Sequence, residues 1–222
     1  MTPFARHRSR GFSTAEVLIG TALSLAALGT LYSFFQAQQK AHAIQNTYSQ
    51  SQTITRTVID LMTREIRMAT YDPTTPGALT TSGPPNCPGV EQGLVEATPS
   101  KIHFRQDLNG DAALSGPGED LVYDVLGSQI RRTDGAALPI PIVDHVPAGG
   151  LNFRYFDASN PPNEIVPSGS PPQLTPAQRD CVTKVRVTVK ANLTNPNPRV
   201  STPVSSIAEC EVAIRNRSLM NF

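Results

Sequence analysis

Arg10-Gly11-Phe12-Ser13-Thr14-Ala15-Glu16-Val17-Leu18-Ile19 opens an apolar stretch that continues to Phe35, and its one carboxylate lies inside what reads as a membrane span. A charged side chain at the centre of a spanning helix costs roughly 2.5 to 3.5 kcal/mol on insertion scales. An acid within the apolar run therefore marks a functional group in need of a partner. As a helix, Phe12 to Phe35 would be about 36 Å long, against a hydrocarbon core of about 30 Å. Arg6, Arg8 and Arg10 precede it with no acid among them. The positive-inside rule then places the amino terminus in the cytoplasm and the remainder of the chain outside it.

Two ordinary readings compete for such a start. A cleaved signal peptide would use the small-x-small site Ala41-His42-Ala43. Its apolar run would usually be ~7 to 15 residues, and Phe35 lies far upstream of that site. A plain single-pass anchor explains the length and the arginines. It gives no role to Glu16 or to Gly11 beside Phe12.

Past Phe35 the chain turns polar but contains no Gly or Pro from Gln36 to Ala69. Apolar residues recur there at helical spacing: Ile44, Tyr48, Ile54, Val58, Leu61, Met62 and Ile66. The span is expected to continue as an amphipathic helix over 36–70, with its apolar stripe packed on a sheet and Tyr71-Asp72-Pro73 as the stop. From Pro73 to Pro99 the composition shifts to Pro, Gly, Thr and Ser, which predicts an irregular loop. Alternation then predicts strands around Ile102-His103-Phe104, Leu121-Val122-Tyr123 and Leu151-Asn152-Phe153-Arg154-Tyr155. Further strands follow at Ile130, at Val185 to Val189 and at Ile207 to Ile214. Twenty prolines, concentrated in the loops, argue against a mainly helical domain.

Gly11-Phe12-Ser13-Thr14-Ala15-Glu16-Val17-Leu18-Ile19 resembles the processing motif of type IV prepilins and type II secretion pseudopilins. The order of the strand segments, with Val212-Ala213-Ile214-Arg215-Asn216-Arg217 at the end, is similar to PilW-type minor pilins and J-class minor pseudopilins. The resemblance implies a basic leader at 1–11, removed by a prepilin peptidase that cuts after Gly11 and N-methylates Phe12. It implies a membrane or filament-core half of the helix at 12–35, an outer half at 36–70 and a β-rich domain with Pro-rich loops at 71–222. It implies a subunit of the bacterial inner membrane, amino terminus cytoplasmic and domain periplasmic, that later joins a filament or its tip. Its partners would be other minor and major pilins or pseudopilins, the peptidase and the inner-membrane assembly platform. Glu16 would meet the Phe12 ammonium of a neighbour, offsetting the burial cost and fixing axial register, because a shifted neighbour leaves both charges unpaired.

Composition narrows the other readings. The chain carries a net charge of +1, and without Arg6, Arg8 and Arg10 it has 16 basic against 18 acidic side chains. Near neutrality it lacks the footprint of a dedicated nucleic-acid binder, and Arg131 beside Arg132 reads as a solvated pair. Cys87, Cys181 and Cys210 would form one bridge outside the membrane, with Cys181–Cys210 the first pairing and Cys87 with either of them the alternative. Asp107, Asn109 and Asp111, with Glu119 downstream, place oxygens at alternate positions as calcium loops do. Ala112 and Gly118 break the EF-hand pattern, and a polar hairpin tip is the ordinary reading. No GxSxG, HExxH or phosphate loop is present, and His7, His42, His103 and His145 are scattered, with His103 read as solvated and Glu65 and Asp60 as helix surface charges. The chain reads as a non-enzymatic α+β assembly subunit: a minor pilin that helps initiate a pilus, or a pseudopilin. An anchored adhesin or calcium-binding domain is the alternative of a different class.

Overall fold

The computed structural model describes residues 11–71, 87, 93–111 and 113–214. Arg6, Arg8 and Arg10, most of the Pro73–Pro99 loop, and Arg215-Asn216-Arg217 lie outside the described residues. The chain divides into two compact units, one ending at Gln45 and one beginning at Asn46. A long helix, α1 (Thr14–Met68), supplies the first unit and the start of the second.

Two antiparallel sheets make up the rest of the second unit. The first is a meander of β1 (Leu94–Ala97), β2 (Ile102–Arg105), β3 (Asp120–Leu126), β4 (Gln129–Asp134) and β5 (Ile140–Val143), paired in that order. The second contains β6 (Leu151–Phe156), β7 (Glu164–Ile165), β8 (Lys184–Leu193) and β9 (Val204–Ala213), in the order β7-β6-β8-β9. A single turn, α2 (Pro176–Arg179), precedes β8 and is closed by a capping box between Thr175 and Gln178. The fold is therefore α+β, with two sheets where one was expected.

Period-two alternation explains these strands. In β8, Val185, Val187, Val189 and Ala191 face inward while Lys184, Arg186, Thr188 and Lys190 face out. One cluster joins Val58, Met62 and Ile66 of α1 to Phe104 and Tyr123 of the first sheet and Phe153, Tyr155 and Val187 of the second. The buried face of α1 also includes Ser51, Thr55 and Thr63, which an apolar stripe does not reveal. Ser51 shares a 2.6 Å hydrogen bond with Ser206 of β9, and this pair matches polar groups where helix meets sheet. At the helix end Thr70 turns to φ 69° and donates its N–H to the Arg105 carbonyl at 2.8 Å. A Cβ on Gly93 would come within 2.3 Å of the Thr70 methyl, so only glycine fits there.

Three expectations are corrected. The Pro73–Pro99 segment is not wholly irregular, because β1 lies within it and pairs with β2. The final strand starts three residues earlier than Ile207, at Val204. The disulfide joins Cys87 to Cys181, one of the alternative pairings in place of Cys181–Cys210, and Cys210 is free. Register bears on that last difference: Cys210 lies opposite Val187, within β8, whereas Cys181 lies in the turn that precedes β8. A disulfide needs Cα atoms within about 7 Å.

Candidate functional site

The site with the clearest chemical demand is the first turn of α1. Ser13 stands at the N-cap, where its Oγ accepts the Ala15 N–H at 3.3 Å, and Glu16 Oε2 accepts the Ser13 N–H at 2.9 Å. The Glu16 half of a capping box is thus present, readable in Ser13-x-x-Glu16, while the Ser13 hydroxyl takes the Ala15 amide rather than that of Glu16. Glu16 therefore holds a second role that the membrane argument alone does not suggest, satisfying an orphan donor at the helix start. A carboxylate there also sits favourably at the positive end of the helix dipole. Gly11 and Phe12 precede the helix outside regular secondary structure, and Phe12 is 87% exposed.

Around this turn the apolar side chains are all exposed, from Val17, Leu18 and Ile19 through Leu31 to Phe34 and Phe35. This helix is long and apolar enough to cross a membrane. Four of its hydroxyls are matched within the helix: Thr21 Oγ1 donates to the Leu18 carbonyl, Ser24 Oγ to Gly20, Thr30 Oγ1 to Ala27 and Ser33 Oγ to Gly29, at 2.8 to 3.0 Å. Hydroxyls bonded this way leave no unpaired donor for an apolar surrounding to penalise. Between Phe12 and Phe35 Glu16 is the one acidic or basic residue.

The other candidates are used structurally. Glu119 is buried, and its carboxylate accepts N–H groups from Leu108 at 3.1 Å, Asn109 at 3.3 Å and Gly116 at 2.7 Å. Asp107 accepts from Gly110 at 2.7 Å, while Asn109 and Asp111 bond each other at the exposed tip. The four residues proposed for calcium thus build a closed polar turn, with the Glu119 oxygens occupied by loop amides. Arg131 makes a two-pronged bond to Asp124, at 2.9 and 2.6 Å, so it is not a solvated partner of Arg132. Arg132 meets Glu65 at 3.1 Å and Asp134 at 3.3 Å. His103 lies against Asp120 in a half-buried pair, which corrects its reading as solvated.

Glu65 is the residue that sequence reasoning missed. Read as a surface charge of α1, it instead accepts the Tyr123 hydroxyl and the Arg132 guanidinium from the first sheet. Burial, and then the Glu65 hydrogen bond, push the Tyr123 hydroxyl far above its ordinary range. Burial opposes the charge on Arg132, but Glu65 more than offsets it and raises that guanidinium too. The available signal was position: Glu65 is three residues from Met62, on the buried side of the helix.

Comparisons of the chain with protein-family models, with curated proteins and with solved structures find no match.

Proposed function

We propose that this chain is a membrane-anchored assembly subunit, a minor pilin of a type IV pilus or its pseudopilin counterpart in a type II secretion system. The observation that carries the reading is an exposed, predominantly apolar helix surface that bears one carboxylate, in its first turn. Such a surface requires lipid or other apolar helices around it. In both surroundings Glu16 needs a cation, and the nearest one that assembly can supply is an amino group at Phe12 of a neighbouring chain, freed by cleavage after Gly11. N-methylation of Phe12 keeps that charge. The Cys87–Cys181 bridge supports an exported domain, since such bridges persist in oxidising compartments.

Two substitutions separate the roles of Glu16. Glu16→Gln keeps an acceptor for the Ser13 N–H, because Gln also completes a capping box, but removes the charge. Glu16→Ala removes both. If pairing with a neighbour is the function, both variants insert in the membrane yet are lost from isolated filaments. Incorporation of Glu16→Gln at the unmodified level would refute the pairing.

A further inference from the structure

The two sheets end in four edge strands, β1, β5, β7 and β9. An edge exposes unpaired N–H and C=O groups that can template another chain, and most proteins blunt it. Three edges are blunted here. β5 carries Pro141 and follows Pro139, which cannot donate. β7 has two residues. β1 has four, and its Ala97 carbonyl already accepts the Leu174 N–H at 2.9 Å.

β9 is ten residues long and contains neither Pro nor Lys. Ile214 donates its N–H to the Thr183 carbonyl at 3.0 Å, and alternation from that pair assigns the even-numbered residues of β9 to β8. The main-chain groups of Ser205, Ile207, Glu209, Glu211 and Ala213 therefore point away from the sheet. Among the described residues none of these N–H groups has a partner, and of the carbonyls only that of Glu211 has one, the Cys210 thiol at 3.7 Å.

Side chains on this edge specify what would fit. On the inner face Ala208 and Cys210 are only half-buried against the core. On the outer face Ile207 is 63% exposed, next to Glu209 and Glu211. Both carboxylates meet Arg186 of β8 on one flank, at 3.5 and 2.9 Å. We infer that β9 receives an extended segment of another protein in which apolar residues alternate with Lys or Arg, adding a fifth strand to this sheet. β8 has that alternation, valines inward and Arg186 outward, and already satisfies the opposite side of β9. A second copy fits less well: full-length antiparallel pairing of β9 with itself opposes Glu209 to its own equivalent, and directly opposed like charges destabilise. The inference rests on the sheet edge and is independent of the anchoring reading.

The test uses the full chain in detergent micelles and, as probe, a blocked peptide with the sequence Lys184–Leu193. Amide hydrogen exchange is followed at Ile207, Glu209 and Glu211. Peptide is expected to slow exchange at these amides by about tenfold or more. Ile207→Pro removes an outward N–H without touching the β8 ladder, and Glu209→Lys reverses the facing charge; each should weaken the effect several-fold. Unchanged exchange at millimolar peptide overturns the inference. So does an equal effect from a peptide with the alternation scrambled, or protection in the free chain as strong as at Val204, Ser206 and Ala208.

Discussion

Glu65 shows how a single side chain can hold a helix to a sheet. Its carboxylate takes both the Tyr123 hydroxyl and the Arg132 guanidinium, and Arg132 reaches on to Asp134, which in turn accepts the Gly118 N–H at 2.8 Å. Removing one member of a largely buried charge network leaves the others unpaired, which costs more than the bond itself. Glu65→Ala should therefore lower stability by about 2 to 3 kcal/mol, and Tyr123→Phe by about 1 kcal/mol, in denaturant unfolding of the same chain. Equal small effects would mean the network contributes little. A more exposed pair sets a pH signature: the Arg154 hydrogen bond holds Glu164 below its ordinary range. A carboxyl lowered in the folded state adds stability above its unfolded value, about 4.3, and loses it as pH falls through the folded value. Glu164→Gln should thus be less stable than the unmodified chain at neutral pH, by under about 1 kcal/mol for so exposed a pair, with the gap closing in acid. A gap that widened in acid would contradict that sign.

At the scale of elements, the strands that sequence made legible are those whose inward residues are large and apolar. β3 and β8 alternate, β6 does so as far as Tyr155, and all three are where alternation placed them. β1 was hidden because only Leu94 and Ala97 of its four residues are buried, at the end of a Pro-rich stretch. β5 was hidden by Pro141 within it and Pro139 before it, which an edge strand tolerates. On α1 the stripe Val58, Met62 and Ile66 was readable, whereas Ser51 and Thr55 were not, because they are small polar residues buried against Ser206. Of the candidate site, Glu16 was legible as a charge in an apolar run, while its capping bond to Ser13 needed the helix start to be placed. The bridge was legible only as a set of alternatives, since three cysteines allow three pairings and sequence does not choose among them. Cys87→Ser and Cys181→Ser should each destabilise by about 2 to 4 kcal/mol and abolish the reduction-sensitive gel shift. Cys210→Ser should leave that shift intact, and its loss there would restore the Cys181–Cys210 pairing.

For the whole molecule, an apolar helix surface with one carboxylate belongs to the same chain as a disulfide-bridged unit of two sheets. The first calls for lipid or neighbouring helices, the second for an oxidising compartment. Cleavage after Gly11 would connect the helix to assembly, since it would create at Phe12 a cation that Glu16 of a neighbour could meet. Mass spectrometry of the amino-terminal peptide, on protein taken from its native membrane, tests that link most directly. Filament-subunit processing predicts a peptide that begins at N-methylated Phe12. A peptide that begins at Met1, or one that begins at Ile44 after cleavage at Ala43, would contradict it.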